Sequence, residues 1–186
     1  MTILDYCGPL QMLDAYDIKV IELMIEELGL KSNKMFNFLN KIDLYNDVEF
    51  FYYDDKNDDV LGGFHSPSRN VIYLNLNGQQ NETNTQKMNN VIALFPTIIH
   101  ELCHFYQRKK YGMIIYGLLQ LPFIRRFTIE TTAYKISDYI TPLSDEYFRK
   151  SMTELAELKL KYNFQKYQYD KIEIMYLKKE GIWDYM

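Results

Sequence analysis

Residues 91–109 have the sequence VIALFPTIIHELCHFYQRK, and this stretch decides how the chain around it is built. It is apolar on several sides, which is typical of a helix that runs through the centre of a domain. Pro96 either starts the regular part of this helix or kinks it. The stretch also contains His100 and His104 in the motif HELCH, in a chain that has three histidines. The sequence therefore predicts a central helix that carries metal-ligating side chains.

The spacing of HELCH has a chemical meaning on a helix. Residues four positions apart lie about 40° from each other around the axis and one turn apart along it. His100 and His104 can therefore reach one metal ion, while Glu101 can approach a metal-bound water as a general base without being a ligand. The alternative is a pair of histidines on a helix surface. Cys103 lies beside His100 on the helix and is a conceivable thiolate ligand, but we interpret it as a small buried residue.

A zinc site of this kind needs a third protein ligand, and no histidine follows His104. Position 110 is lysine and position 107 is glutamine, which excludes the long histidine motif of metzincins. The remaining histidine, His65, precedes a predicted hairpin turn and is expected to be a surface residue.

A carboxylate must then complete the site. No Asp or Glu lies between Phe105 and Ile129, so the first acid downstream is Glu130. Glu130 begins the segment ETTAYKISD, in which Ala133 and Tyr134 fall on the same helical stripe. We therefore predict Glu130 as the third ligand. The alternative is a surface acid that is favoured at a helix start by the helix dipole.

HELCH followed by an E-x-x-A-Y helix resembles the gluzincin class of zinc metallopeptidases, in particular its small members, the minigluzincins. The resemblance covers about residues 60–140 and implies a zincin-like fold. It implies that His100, His104 and Glu130 bind one zinc ion and that Glu101 is the catalytic base. A second electrophile, commonly Tyr or His in this class, would stabilise the oxyanion, and Tyr134 is the nearest candidate.

The resemblance also implies an edge strand just before the zinc helix, which pairs with an extended substrate. Residues 70–77, NVIYLNLN, occupy that place. One departure concerns the position four residues after the ligand glutamate. Larger gluzincins have Asp there to orient a histidine, whereas this chain has Tyr134, and Asp138 follows one turn later. The groups that orient the ligands are therefore not identified by the resemblance.

The rest of the chain predicts an α+β fold with a small N-terminal antiparallel or mixed sheet and a helical C-terminal half. A helix is expected over residues 11–30, with Gly29 as its stop signal, and a shorter one over 33–45. Strands are expected over 48–55 and in a hairpin formed by 60–65 and 71–78, in which Ile72, Leu74 and Leu76 alternate with Val71, Tyr73 and Asn75.

Residues 78–90 are polar and are expected to form an exposed loop. A later helix is expected over about 127–140; Pro142 should break it, and Ser144 should cap the next helix. We predict a single zincin-like domain over residues 1–186. It comprises a helix and sheet part (1–90), the metal-binding helices (91–140) and a helical tail (141–186).

The composition of the chain limits the partners and the cellular location that we expect. A net charge of −4 and a pI near 5.4 argue against nucleic acid as a partner. The N-terminus lacks a positive region and has Asp5 where a signal peptide would be apolar, so a cytoplasmic location is expected. The longest apolar run, residues 113–124, is too short to span a membrane. It is expected to be buried core, with a membrane-surface contact beside Arg125 and Arg126 as the alternative.

The expected function is that of a zinc metalloendopeptidase, a hydrolase acting on a peptide or protein substrate. Two alternatives remain open. One is a zinc-stabilised regulatory or binding module without efficient turnover. The other is a structural protein of a phage or mobile element, in which the motif only binds metal.

Overall fold

The computed structural model describes residues 10–55, 63–66, 69–79, 81–125 and 127–162; within these ranges, the side chains of residues 64–65, 122–123, 148 and 151–162 are not described. The fold is mixed α+β, as the sequence predicts. A small sheet and helix α1 (Ala15–Glu27) come first, and two long helices, α2 (Asn84–Leu119) and α4 (Ile129–Tyr162), follow. The short helix α3 (Pro122–Arg125) connects α2 to α4, and two 3₁₀ segments, Leu30–Ser32 and Lys34–Lys41, follow α1.

The sheet contains β1 (Gln11–Met12), β2 (Glu49–Tyr53), β3 (Gly63–Ser66) and β4 (Val71–Asn75), in the order β1-β2-β4-β3. The predicted hairpin is present, because β3 pairs with β4 in antiparallel register from Gly63 opposite Leu74 to Ser66 opposite Val71. Strand β4 also pairs with β2, in parallel. The sheet is therefore mixed, which is one of the two forms, antiparallel or mixed, that the sequence predicts.

The prediction that residues 70–77 form the edge strand is wrong. Strand β4 has β2 on one side and β3 on the other, so its backbone groups are paired along both edges. The hairpin folds back on itself and places its first strand, β3, at the border of the described sheet. The predicted alternation along β4 does appear. Ile72 and Leu74 join the main core, while Val71 and Tyr73 pack with Tyr53 on the opposite face.

Helix α2 begins seven residues before the position that we predicted, at Asn84 rather than 91. The side chain of Thr83 accepts from the backbone of Gln86, and Gln86 accepts in return from the Thr83 backbone. This capping box satisfies two N–H groups that the helix cannot. Residues 84–90, predicted as loop, are therefore helical, and Met88 and Asn90 are buried.

Gly112 interrupts α2. Its backbone has φ 74° and ψ 164°, a combination that is essentially restricted to glycine. Pro96, in contrast, lies inside the helix without such a break. Proline lacks the N–H that would bond to the carbonyl of Ile92. The buried hydroxyl of Ser144 donates to that carbonyl at 2.9 Å instead.

Helix α4 runs through Pro142 to Tyr162, so the predicted break at Pro142 is wrong. Ser144 is consequently not a helix cap, because its hydroxyl bonds across to α2. The packing of α4 along α2 maintains the helix despite the missing N–H. The part of the predicted helical tail that follows residue 162 lies outside the described residues. Cys7, the other cysteine of the chain, does so as well.

The expectation that residues 113–124 are buried core is also wrong. Tyr116 is buried, but most apolar side chains of this segment face solvent, and so does that of Phe127 after it. We name the following six residues the apolar ledge: Met113, Ile114, Ile115, Leu118, Leu121 and Phe127. Among the described residues, no helix has the length and apolarity needed to cross a membrane.

Candidate metal site

The candidate site lies where α2 and α4 pack side by side. Helix α2 contributes His100, Glu101 and His104, and the first turn of α4 contributes Glu130. Ala133, one turn after Glu130, is completely buried and lets the two helices approach closely. The structure therefore brings the three predicted metal ligands together, and these three residues could hold a metal ion.

A short chain of hydrogen bonds orients His100. The hydroxyl of Ser137 donates to the carbonyl of Ala133 at 3.2 Å, so its oxygen is available to accept from Nδ1 of His100 at 2.9 Å. The imidazole also bonds to the Ala133 backbone, where a carbonyl can only accept. These partners can accept the ring proton of His100 from Nδ1 when the ring binds a metal ion through Nε2. Its Nε2 is then an unprotonated acceptor.

Gln107 orients His104 in the same way. The amide nitrogen of Gln107 donates to the carbonyl of Ile129 at 3.2 Å, which fixes the direction of the amide group. The amide oxygen of Gln107 then lies 3.0 Å from Nδ1 of His104 and accepts its proton. Nε2 of His104 is therefore unprotonated as well. Each histidine is thus held in the tautomer that can bind a metal ion through Nε2.

Three acceptor atoms converge as a result. Nε2 of His100 and Nε2 of His104 are 3.0 Å apart, and the Oε2 atom of Glu130 lies 3.5 Å and 3.3 Å from them. Lone pairs that face one another at these distances repel, and a shared cation removes the repulsion. All three side chains are largely buried, so water can screen them only weakly.

The pKa values of the two histidines show which charge state the rings have. Burial, followed by the charge of His104, lowers the pKa of His100 to about 4. Burial also lowers the pKa of His104, against the opposing effect of Glu130. Both rings are therefore neutral at neutral pH, which is the form that binds metals.

Arg125 holds the other oxygen of Glu130. Its Nε atom donates to Oε1 at 2.5 Å from the end of α3. Burial alone would raise the pKa of Glu130, but the hydrogen bond from Arg125 and the two histidines outweigh it, and the pKa is lowered. Glu130 is therefore ionised, with Oε2 turned toward the two rings.

The remaining predicted residues lie close to the cluster. Glu101 is buried, and its Oε1 lies 4.0 Å from Nε2 of His100. The exposed Tyr134 ring packs edge-on against His100, with 5.2 Å between ring centroids. Cys103 is buried as predicted and is not part of the three-residue cluster; burial, with the charges of Glu101 and Glu130, raises the pKa of its thiol to about 12. Asp138 is exposed.

Three residues of the site were not singled out from the sequence for the roles that they have here. Gln107 lies three positions after His104, a spacing that brings two side chains together on a helix, so it could have been found. Ser137 belongs to the segment ETTAYKISD, but nothing in its position in the sequence shows that it meets His100. Arg125 reaches Glu130 from a separate short helix, and no sequence spacing indicates that contact. The side chain of His65 lies outside the described residues; its backbone is part of β3, opposite Ile72.

Comparison with known proteins adds no assignment. The chain matches no protein-family model, and neither the curated proteins nor the solved structures give a significant match.

Proposed function

We propose that this chain is a zinc-dependent peptidase of the gluzincin type, with His100, His104 and Glu130 as metal ligands and Glu101 as general base. One observation carries the proposal. Two imidazole Nε2 atoms and one carboxylate oxygen meet between two helices, and the carboxylate of the glutamate that follows the first histidine lies 4.0 Å from one of these nitrogens.

The donor set fits zinc. Two imidazole nitrogens and one carboxylate oxygen form the ligand set of catalytic zinc sites, which leave a fourth position for water, whereas Mg²⁺ and Ca²⁺ prefer oxygen ligands throughout. Tetrahedral zinc with ligands at about 2.0–2.1 Å separates neighbouring ligand atoms by about 3.3 Å. The three separations here are 3.0, 3.3 and 3.5 Å. The residues therefore fit the ion without rearrangement.

Bound zinc would supply electrophilic polarisation and lower the pKa of a water molecule to about 7. The contribution of Glu101 is to accept a proton from the attacking water on its carboxylate and deliver it to the leaving amine. Its carboxylate lies near the ligand cluster and is buried, so bulk water does not compete for this proton. This division between ligands and base supports peptide hydrolysis over simple metal storage.

Two phenols are candidates for stabilising the oxyanion. Tyr134 remains our first choice because its ring contacts His100. Tyr116 is the second, since it is buried near the site carboxylates. Burial raises the pKa of Tyr116 to about 12, with smaller contributions from Glu101 and Glu130, so its hydroxyl is protonated and can donate. Tyr134→Phe and Tyr116→Phe, compared by kcat, would distinguish the two.

The described border strand β3 is the most suitable place for an extended substrate. Gly63 at its start packs against Thr97, less than one helical turn before His100, and a methyl group there would lie 2.7 Å from the carbonyl of Tyr73. Strand β3 is therefore held beside the helix that carries the site. A peptide added at the border of the sheet would run along α2, which supports an extended polypeptide as the substrate class.

The test separates metal binding from turnover. Glu101→Gln should retain one zinc ion per chain and lose cleavage of an unfolded protein substrate, because the general base is removed while the ligands remain. Glu130→Gln should lose zinc and activity together. Glu146→Gln changes an exposed glutamate farther along α4 and serves as the matched control, with both properties unchanged.

Two outcomes would overturn the proposal. Cleavage by Glu101→Gln at the wild-type rate would exclude Glu101 as the base. A wild-type chain that binds one zinc ion but cleaves nothing in a broad peptide library would favour the zinc-stabilised binding module.

A further inference from the structure

The apolar ledge is the least expected feature of the described surface. The side chain of Ile114 is 81% exposed and that of Phe127 is 79% exposed, and the ledge continues through Leu118 and Leu121 between them. Isolated exposed apolar residues are common, but a contiguous group on one segment indicates a contact surface. Nothing in the proposed peptidase chemistry requires these side chains in solvent.

The backbone presents the ledge outward. Gly112 turns the second part of α2 away from the direction of the first, and a Cβ added at Gly117 would meet no atom within 4 Å. There is therefore open space beside the middle of this segment.

The charges around the ledge are of one sign. The chain has a net charge of −4, yet residues 106–128 contain no acid. Lys110 is exposed and lies over the ring of Tyr111, a contact that does not neutralise its charge. Lys109 pairs with Asp47. Unpaired cations beside exposed apolar side chains are typical of segments that bind anionic lipid surfaces.

A second copy of the chain is a poorer partner for this surface. A symmetric dimer would bring the same patch of both copies together, and because residues 106–128 contain no acid, neither copy would offer this segment an opposite charge from its own. Like charges across an interface weaken it. An anionic bilayer satisfies both features, because it takes up the apolar side chains and carries the opposite charge.

We propose that the apolar ledge, with the exposed Lys110 just before it in the chain, docks this protein on the surface of an anionic lipid bilayer. The contact is peripheral, with the side chains of the ledge in the interface and the sheet and metal site in water. It is independent of the peptidase function, since neither zinc nor Glu101 takes part.

Flotation with lipid vesicles tests the proposal on the full chain, with and without zinc. The wild-type chain should float with vesicles of phosphatidylcholine and phosphatidylglycerol and remain unbound with phosphatidylcholine alone. Ile114→Glu should lower the partition coefficient by about 10- to 100-fold, because the isoleucine that would insert into the lipid is replaced by a charge that the anionic lipid repels. Lys110→Glu should lower it several-fold. Salt at about 1 M, where the Debye length is about 3 Å, should release the chain.

Met35→Glu is the matched control, because Met35 is 46% exposed on the second 3₁₀ segment. It should float like the wild type. Circular dichroism of each variant should show that all of them are folded, and Leu118→Glu provides a second ledge variant if Ile114→Glu is not.

Three results would overturn the proposal. The first is the absence of wild-type binding to the anionic vesicles. The second is equal loss of binding in Met35→Glu and Ile114→Glu. The third is concentration-dependent self-association that Ile114→Glu abolishes, without vesicle binding by the wild type, which would assign the ledge to a second copy of the chain.

Discussion

Gln107 provides the sharpest test of how the site is organised. In Gln107→Leu, a buried side chain of similar size loses both its acceptor for His104 and its donor to Ile129. The ring of His104 is then free to move its proton from Nδ1 to Nε2, where Oε2 of Glu130 lies 3.3 Å away and can accept it. This tautomer is stabilised by the hydrogen bond to Glu130 in the metal-free protein, but it cannot bind a metal ion through Nε2.

The expected magnitude follows from this exchange of tautomers. Loss of a group that orients a ligand histidine costs about 10- to 100-fold in metal affinity, or about 1.4–2.7 kcal/mol. The metal-free stability should fall by less than the metal affinity, because the new hydrogen bond to Glu130 offsets part of the loss. The two effects can be measured separately, by competition with a chelating zinc indicator and by denaturant unfolding without metal.

Gln107→Glu is the matched control. It keeps an acceptor for Nδ1 of His104 and loses the bond to Ile129, so its zinc affinity should stay within a few-fold of wild type or increase. Wild-type zinc affinity in Gln107→Leu would refute the assigned tautomers. Equal losses in both variants would show that the packing of residue 107, rather than its acceptor, is what matters.

Three further predictions concern stability. Burial, then the charge of Asp14, raises the pKa of the Asp17 carboxyl from 3.8 to about 7; stability from this group is therefore full below pH 3.8 and lost as pH rises to about 7. Asp17→Asn should remove this loss of about 4 kcal/mol, visible in unfolding curves at pH 4 and 8. Gly112→Ala should destabilise by about 1–3 kcal/mol in urea unfolding, because of its backbone angles. Gly117→Ala should stabilise by about 0.5–1 kcal/mol, and the opposite order would refute the backbone argument. Ser144→Ala should cost about 1–3 kcal/mol, since it leaves the buried carbonyl of Ile92 without a donor; an unchanged thermal midpoint would contradict this.

The elements with a strong local pattern could be predicted from the sequence. The hairpin of β3 and β4 and the central part of the first helix follow from periodicities that the structure reproduces. The expected start of that helix at residue 11 is wrong, because residues 11–12 form β1 and the helix begins at Ala15, where Asp14 caps it. The start of α2 was missed although Thr83 and Gln86 form the sequence pattern of a capping box. Pro142 was overvalued, because packing of α4 against α2 outweighs one missing N–H.

The ledge shows a limit that local patterns cannot overcome. Residues 113–124 have the composition of a core segment, but burial depends on whether another element covers them. In the structure, Gly112 turns them outward. The composition alone contains no information on the direction of that turn.

The candidate ligands could be found from the sequence because the chain contains only three histidines. No third histidine follows His104, and Glu130 is the first acid downstream of it, so the sequence predicts Glu130 as the third ligand. The groups that orient them are a different matter. Ser137 and Gln107 act through side-chain geometry between two helices, which depends on the packing of the whole domain.

Three hydrogen bonds between the long helices have a mechanical consequence for this site. As the partner on α2 advances from Ile92 to His100 to Gln107, the partner on α4 recedes from Ser144 to Ser137 to Ile129. These three hydrogen bonds therefore oppose sliding of the two helices along each other. A slip of one residue would shift the carboxylate by about 1.5 Å, about three quarters of a zinc–ligand bond length. Pro96, which removes an N–H from α2, thus leaves the carbonyl of Ile92 available to accept from Ser144, the hydrogen bond farthest from the metal ligands.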